Sequence, residues 1–342
     1  MHKQVRMSYA EKYLPKKVKL FFLTPPKQNK YNLKRTQIIE IDGNKINFTL
    51  GLRKFCKKNK IDLLVNLGTV NESFGMVFAT FGLKTKYIIN LVGDMWDELK
   101  VQKKIRKKAV IISKILLSVI PFILAKKIIQ SSSDIRDKIQ KNFFFIKNKV
   151  YSCDLIIDEK LFSPKNKTQA RKKLNLPLEK DIILSVGRVS YLKGSDILFK
   201  LVEKNPEKLF IVIGEIIDLD YEKQKFPNLL LILSAKGKEL VDYYNSADLF
   251  LFPSRVEGYG LVQREAMLCE TPALVSDITS LRLTEYALKA NPDAEDMQNQ
   301  INIFFSMSKK EREKLGKMSR KYIIQKNSYD NLKDSLRNLL LD

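Results

Sequence analysis

Residues 248–267 have the sequence DLFLFPSRVEGYGLVQREAM, in which an apolar run is followed by glycines and two acids. The run DLFLFP is short and almost uniformly apolar, which is typical of a strand buried on both faces of a parallel sheet. Glu257 and Glu265 stand eight positions apart, and Gly258 and Gly260 follow the first of them. Ligands of open parallel sheets bind beyond the carboxyl ends of the strands. The stretch therefore predicts a strand, a ligand-binding loop and a helix, in that order.

Short apolar strands alternate with helical segments along both halves of the chain. We place strands within residues 17–26, 61–68, 86–94 and 125–133 of the first half, and within 181–187, 208–214, 228–234 and the quoted run of the second. This alternation is typical of parallel sheets with helices on both faces. We therefore predict an α/β protein with two doubly wound, Rossmann-like domains that face a central cleft.

The domain boundaries follow from a break in this pattern. Near Asp158 the segment DEKLFSPKNK brings a proline and several lysines, which is typical of a linker. We expect an N-terminal domain over residues 1–160, a C-terminal domain over 161–317 and a C-terminal helix over 318–342. That helix should cross back onto the N-terminal domain, because it carries an apolar stripe of Tyr322, Ile323, Leu332, Leu336 and Leu339.

The positive charge of the chain is concentrated in its first half. The net charge is +24, and residues 1–150 hold 32 lysine or arginine against 10 aspartate or glutamate residues, a net +22. Such a one-sided excess indicates a basic surface that faces an anionic partner. We expect peripheral contact with an anionic membrane, and a solvated basic face is the alternative. Six basic residues lie close together before an apolar run, namely Lys100, Lys103, Lys104, Arg106, Lys107 and Lys108.

That apolar run, AVIISKILLSVIPFILA at 109–125, is short for a bilayer span and contains Lys114 and Pro121. A buried helix that leads into a strand is the favoured interpretation, and a helix lying in a membrane surface is the other. The three cysteines have neither disulfide nor metal spacing, and the first residues do not resemble a signal peptide. We therefore expect a cytoplasmic protein that is peripheral at the membrane.

A second loop carries cations that suit a diphosphate. Gly187 ends the strand at 181–187, Arg188 follows directly, and Lys193 lies five residues further on. A glycine lets the backbone approach a ligand, and two cations can bind a diphosphate. Taken alone, this loop is more simply interpreted as a solvated basic loop. It stands about 70 residues before the glutamate pair, so the two candidate groups come in a fixed order along the chain.

The glutamate loop supplies complementary groups. A helix that begins near Leu261 would offer free backbone N–H groups and a positive dipole end to an anion. Glu265 could accept hydrogen bonds from two neighbouring hydroxyls, as on a ribose, and Glu257 could do the same for a sugar.

The order of these elements resembles that of the family 4 glycosyltransferases, nucleotide-sugar enzymes with the GT-B fold. The matching segments are ILSVGRVSYLKGSDIL at 183–198 and YYNSADLFLFPSRVEGYGLVQREAMLCETPALVSD at 243–277. The family's E-x7-E motif falls on Glu257 and Glu265. The segment IIDEKLFSP, with Asp158, looks like the family's interdomain turn. The resemblance is strong over roughly residues 150–280.

This resemblance implies a role for each site residue. Arg188 and Lys193 would bind the donor diphosphate and stabilise it as it leaves, Glu265 would hold the ribose, and Glu257 would bind the donor sugar. The backbone from Gly258 through Tyr259, Gly260 and Leu261 to Val262 would line the phosphate and sugar pocket next to Gly187. It further implies a hexosyltransferase that acts with retention of anomeric configuration, without a cofactor and without a metal. UDP or GDP is the expected nucleotide, and the acceptor would be a glycan or lipid-linked.

Several positions depart from the family pattern. The family usually has glycine at the positions of Glu270 and Glu215, a glycine-rich stretch at 279–285 and at the amino terminus, and a histidine after a first-domain strand. At that last place the sequence is LVGDMWDE, so Asp94 becomes the candidate for positioning the acceptor hydroxyl. Trp96 could be a sugar platform or a core residue, with equal weight.

Three functions remain open at this level: a glycosyltransferase, a basic nucleic-acid-binding protein, and a donor-binding protein without activity. The nucleic-acid alternative lacks aromatic residues among the lysines of KKIRKK and any groove-reading motif, so no nucleic-acid partner is expected. The DLD at 218–220 is a poor metal site, because it stands in a charged loop and that motif belongs to another glycosyltransferase fold.

Overall fold

The computed structural model describes residues 11, 14–24, 33–42, 44–66, 70–91, 93–217, 226–278 and 286–341. The chain divides into two compact units. Unit 1 is Met1–Ile156 with Tyr329–Asp342, and unit 2 is Ile157–Ser328.

Unit 1 is built around parallel strands. One pair consists of β1 (Leu20–Thr24) and β2 (Thr36–Glu40), and a four-stranded sheet has the order β3 (Leu63–Val65), β4 (Lys86–Leu91), β5 (Lys127–Gln130) and β6 (Val150–Ser152). The helices are α1 (Lys45–Asn59), α2 (Val70–Thr80), α3 (Met95–Val101), α4 (Ile105–Leu117), α5 (Val119–Leu124) and α6 (Ser133–Asn142), with a 3-10 segment at Phe144–Lys149. The four strands predicted in this half are present, and β2 and β6 were not predicted.

Unit 2 contains a single six-stranded parallel sheet among its described residues. Its strands are β7 (Ile182–Val186), β8 (Leu209–Ile213), β9 (Leu229–Ile232), β10 (Leu249–Phe252), β11 (Ala273–Ser276) and β12 (Leu288–Ala290). Its helices are α7 (Lys167–Lys173), α8 (Ser195–Lys204), α9 (Lys238–Ser246), α10 (Leu261–Leu268), α11 (Ala294–Ser306) and α12 (Lys309–Asn327), with a 3-10 turn at Tyr191–Lys193.

The strand order of unit 2 is β12-β11-β10-β7-β8-β9. The chain therefore starts in the middle of the sheet, winds outward to β9, returns to β10 beside β7, and winds outward in the other direction. The order reverses between β7 and β10. In doubly wound sheets this reversal opens a crevice at the carboxyl ends of the two strands, where ligands bind.

The apolar strands of this sheet fill both of its faces. In β10, Phe250 and Phe252 belong to one hydrophobic cluster while Leu249 and Leu251 belong to another on the opposite face. All four side chains are at most 2% exposed. This arrangement explains why the run is apolar at consecutive positions instead of alternating with polar residues.

The carboxy-terminal segment differs from the single helix predicted over 318–342. It forms α12 and a separate α13 (Tyr329–Leu341), because Ser328 has extended backbone angles. Ile323 lies in the core of unit 2, whereas Leu339 packs in unit 1 against a buried cluster that includes Ile129. The chain therefore returns to unit 1 at Tyr329, after α12 has completed the packing of unit 2.

A strained residue ends α10. Glu270 has a φ of +61°, and its N–H donates to the carbonyl of Met267 while the N–H of Thr271 donates to that of Ala266. These two bonds form a Schellman motif, in which the position of Glu270 favours glycine. The departure from the family pattern at Glu270 therefore carries backbone strain, whereas Glu215 has an exposed side chain and no positive φ.

We expect Glu270→Gly to raise the free energy of unfolding. Relief of a left-handed conformation gives about 1–2 kcal/mol, and the greater freedom of glycine in the unfolded chain removes about 0.5–1 kcal/mol of it. Urea unfolding measures the difference. Glu270→Ala keeps the strain and serves as the control, so an equal gain in both variants would contradict the strain argument.

Candidate functional site

Two loops meet at the carboxyl edge of the sheet in unit 2, where the strand order reverses. The first follows β7 and runs from Gly187 to Gly194, and the second follows β10 and runs from Pro253 to Gly260. Both loops were singled out from the sequence, and the sheet topology brings them together.

Glycines allow the backbones at this edge to approach one another closely. A Cβ on Gly194, whose φ is +70°, would lie 2.0 Å from the carbonyl oxygen of Pro253. A Cβ on Gly214 would lie 1.8 Å from the carbonyl oxygen of Gly187. No side chain fits at either position, so Gly194 sets the distance between the two loops and Gly214 lets the end of β8 approach the first of them.

An ion pair joins the two loops. The Nζ of Lys193 lies 2.5 Å from Oε2 of Glu257, and both side chains are less than one-fifth exposed. Burial by itself raises the pKa of the Glu257 carboxyl, but the Lys193 ammonium and hydrogen bonds from the backbone amides of Gly258 and Gly260 outweigh it, so the pKa is lowered. Glu257 is therefore held as a carboxylate beside a fixed cation.

A small cavity lies beside the end of β7. Its lining includes Gly187, Arg188, Lys193 and the ring of Phe252. The Lys193 ammonium lies 5.5 Å from the centroid of that ring. Arg188 is exposed and makes no ion pair with any residue that the structure describes. Its guanidinium is thus available to an anion that enters the cavity.

The backbone from Gly258 to Val262 forms the entrance to α10. Gly260 caps this helix with a φ of +71°, which favours glycine. The buried Arg264 donates to the carbonyls of Tyr259 and Gly260, and its guanidinium lies 3.9 Å from the centroid of the Tyr259 ring. Arg264 thus holds the loop from the buried side, while Leu261 and Val262 pack against the core of unit 2.

Glu265 lies behind this loop on the buried side of α10. It is 1% exposed, and its Oε2 accepts a hydrogen bond of 2.9 Å from the hydroxyl of Tyr244. Burial raises the pKa of the Glu265 carboxyl to about 8, although the hydrogen bond from Tyr244 lowers it. The two glutamates therefore differ: Glu257 is kept charged, and Glu265 is kept protonated at neutral pH.

Asp94 belongs to unit 1 and has structural partners. Its Oδ1 accepts from the backbone N–H groups of Trp96 and Asp97 at the start of α3, and its Oδ2 lies 2.6 Å from the Nζ of Lys138. The carboxylate is therefore a helix cap and half of an ion pair. Trp96 packs against the ring of Phe143, with the centroids 6.0 Å apart, so the interpretation as a core residue accounts for it.

Two supporting residues of the site, Tyr244 and Asn327, were not predicted from the sequence. Tyr244 holds the carboxyl of Glu265, and the Nδ2 of Asn327 donates to the hydroxyl of Tyr259. Asn327 also accepts at its carbonyl from the N–H of Ile157, which ties the last turn of α12 to the start of unit 2. The sequence shows no periodicity for such contacts, because they depend on packing between distant segments.

No metal site is found in the described part of the chain, where no group of three or more His, Cys, Asp or Glu residues could hold an ion. The DLD segment at 218–220 lies outside the described residues, as do the stretches at 25–32 and 279–285.

The segment that carries the candidate site is similar to known glycosyltransferases. Residues 166–322 match the family described as glycosyl transferases group 1. The D-inositol 3-phosphate glycosyltransferase of Xylanimonas cellulosilytica is 32% identical over 127 residues, which are 34% of this chain and 30% of that protein. The alignment thus spans about a third of the length of that curated relative. It includes neither the whole chain nor a whole relative.

Solved structures extend the similarity in fold to nearly the whole chain. Sucrose-phosphate synthase from Thermosynechococcus elongatus has a TM-score of 0.81 at 18% identity and covers 93% of this chain and 87% of its own. Anabaena HepE, solved in complex with UDP-glucose, has a TM-score of 0.77 at 14% identity, with coverages of 94% and 98%. At these identities the comparison establishes the fold alone, and it confirms the predicted GT-B class.

We expect the stability of Glu265→Gln to diverge from that of the wild type as pH rises. The pKa of Glu265 is about 8 in the folded state and 4.5 ordinarily. Between these two pH values the folded protein keeps a proton that the unfolded chain has lost, so the wild type loses stability as the pH rises from 4.5 to about 8. Glutamine still accepts from Tyr244 and cannot ionise. In ligand-free urea unfolding, the advantage of the variant should be smallest near pH 4.5 and largest at about pH 8 and above. A constant difference across the window would contradict a buried, protonated Glu265.

Proposed function

We propose that this protein is a glycosyltransferase that moves a sugar from a nucleotide-sugar donor to an acceptor hydroxyl. The single observation that carries the proposal is the Lys193–Glu257 ion pair, at the strand reversal of a sheet within the segment that matches glycosyl transferases group 1. A carboxylate that would bind the donor sugar and a cation that would bind a diphosphate are side by side there.

Each site residue has a proposed role in donor binding. The diphosphate would lie between Lys193 and the exposed guanidinium of Arg188, against the backbone of Gly187 and the amides at the start of α10. The donor sugar would hydrogen-bond to Glu257. Glu265 would bind the ribose, which requires the ligand to reach a carboxyl now beside Tyr244.

The proposed chemistry depends on stabilising the leaving diphosphate. Negative charge grows on the diphosphate as the bond to the anomeric carbon breaks, and two positioned cations with a helix N-terminus stabilise that charge in place. We propose that transfer proceeds with retention, as a family 4 hexosyltransferase would, and without a divalent metal or another cofactor.

The proposed acceptor side is unit 1. Asp94 would hold the start of α3 there, and its carboxylate, whose Oδ2 is paired with Lys138, stays the proposed group for positioning the acceptor hydroxyl. We propose a glycan or a lipid-linked acceptor reached at the surface of an anionic membrane, on the strength of the +22 carried by residues 1–150. None of the described helices is both long and apolar enough to cross a bilayer.

A thermal-shift panel of UDP-, GDP- and ADP-sugars tests donor binding and identifies the base. A ligand that binds the folded state alone raises the melting temperature, so one nucleotide-sugar of the panel should do so. The shift should shrink in Glu265→Ala, because the ribose loses its acceptor, and should persist in Glu203→Ala, which changes an exposed carboxylate of the same unit. If no member of the panel shifts the wild type, the proposal fails.

Transfer itself should depend on the two cations. We expect Lys193→Ala or Arg188→Ala to lose about 2.7–4 kcal/mol of transition-state stabilisation, measured as a fall in kcat, because a preorganised charge is removed. Lys200→Ala, which removes an exposed lysine from α8, is the matched control and should keep wild-type rates. Full activity in Lys193→Ala would contradict the assignment of the diphosphate site.

Transfer should also survive EDTA. The physical reason is that Lys193 and Arg188 supply the positive charge that a divalent ion would otherwise provide. Initial rates with EDTA and with added manganese or magnesium should agree. Complete loss in EDTA with recovery in manganese would contradict this, and would direct attention to Asp218 and Asp220.

A further inference from the structure

The helices α4 and α5 expose a continuous series of aliphatic side chains. Ile105 is 83% exposed, Leu116 is 67% exposed and Ile120 is 59% exposed. We call this surface the apolar strip; it consists of Ile105, Ile112, Leu116, Ile120, Ile123 and Leu124. A buried helix was predicted for residues 109–125, and the structure shows that most apolar side chains of this segment are not buried.

The strip has helical spacing, but its apolar side chains face away from the core of unit 1. Successive members from Ile105 to Ile123 stand seven, four, four and three residues apart, and Leu124 stands four residues after Ile120, which places them on one side of the helices. The opposite face packs into unit 1 through Ile111 and Phe122, with Ile115 partly buried. Unit 1 therefore covers one apolar face of these helices, and the strip is a second apolar face that unit 1 leaves exposed.

Two aromatic residues extend the strip. Phe144 is 74% exposed and Phe145 is 50% exposed, at the start of the 3-10 segment. The segment is held beside α5, because the Nζ of Lys149 donates to the carbonyls of Ile123 and Ala125. Phenylalanine beside leucine and isoleucine on one apolar surface, with basic residues around it, is typical of segments that lie in the interface of a membrane.

The stretches of sequence that carry the strip and the two phenylalanines are basic. Residues 99–133 contain no aspartate or glutamate, and neither do residues 138–153. Arg106 and Lys107 are exposed on the first turn of α4, and Lys141 and Lys147 are exposed on either side of the two phenylalanines. An occupant of this surface must therefore be apolar at its centre and negatively charged at its margin.

We propose that the apolar strip inserts into the interface of an anionic phospholipid bilayer, with the basic residues around it bound to lipid phosphates. A bilayer surface offers both components, acyl chains below a layer of negative headgroups. A second copy of this chain fits less well, because it would bring two equally basic rims together and self-repulsion opposes that contact. The proposal stands apart from sugar transfer, since membrane binding requires neither donor nor turnover.

Insertion differs from docking by charge alone in its response to salt. Electrostatic attraction to headgroups is screened, with a Debye length of about 3 Å at 1 M salt. Burial of aliphatic side chains is not weakened by screening. The protein should therefore bind vesicles that contain phosphatidylglycerol at low salt and retain a large bound fraction at high salt.

The test is flotation of the full chain with phosphatidylglycerol-containing and pure phosphatidylcholine vesicles, without nucleotide. The double variant Leu116→Gln/Ile120→Gln keeps the charge and removes two inserted side chains, so its partition onto anionic vesicles should fall roughly tenfold or more. Leu233→Gln/Ile303→Gln is the matched control, since it changes exposed aliphatic residues of unit 2 and should bind as the wild type does. Arg106→Gln/Lys107→Gln should weaken binding at low salt and converge with the wild type at high salt.

Three results would overturn the proposal. Wild-type protein that binds neither vesicle type refutes it outright. Equal binding by the wild type and Leu116→Gln/Ile120→Gln would mean docking by charge alone. A concentration-dependent dimer that dissociates in the same variant would identify a second copy as the cover of the strip. Unchanged melting temperatures in all three double variants establish that any loss of binding is not a loss of folding.

Discussion

The ion pair between Lys193 and Glu257 is the interaction on which the candidate site depends. Its two residues come from loops that follow adjacent strands, beyond the point where sheet hydrogen bonds hold the backbone. Burying either charge alone would cost several kcal/mol, roughly, and the pair with its backbone donors offsets that cost. The cation that a diphosphate would use is therefore already fixed in position. A ligand with negative charge must share Lys193 with Glu257, which favours one that also offers hydroxyl donors to the carboxylate.

The glycines determine that this pair can form. Gly194 and Gly214 stand where any Cβ would meet a backbone oxygen of the neighbouring loop. Substitution at either would push the loops apart, and a separation of even an ångström would break a hydrogen-bonded ion pair. In unit 2 rigidity is further supplied by buried acids with basic partners, such as Asp242 with Lys165. In unit 2, therefore, close backbone contacts fix the loops first, and ion pairs then hold the charged side chains in place.

The parts of the structure that follow from local pattern could be predicted from the sequence. Uniformly apolar strands such as Leu249–Phe252 identify the parallel sheets, and the loops after them locate the candidate site. The role of Asp94 could not be assigned in the same way, because an aspartate between a strand and a helix is equally suited to capping the helix and to binding a ligand. A capping interpretation had one local signal, the acidic Asp97 three residues later. The contact between Glu265 and Tyr244 had none, since it joins two helices through the core.

Burial of the segment 109–125 was predicted and holds for one face only, and the reason is physical. Periodicity shows that a face is apolar, but burial also requires a neighbour of matching area, and unit 1 covers one face of α4 and α5 only. The same region has an excess of positive charge that cannot be neutralised within residues 1–150, where basic residues outnumber acids 32 to 10. Exposed apolar area and net positive charge are each unfavourable in free solution, and each is lowered in free energy by contact with an anionic bilayer. Residues 1–150 thus combine exposed aliphatic side chains on α4 and α5 with a net charge of +22, and ion pairs such as that of Lys138 with Asp94 compensate only a small part of it. In unit 2, by contrast, an ion pair between two loops, Lys193 with Glu257, holds the candidate site.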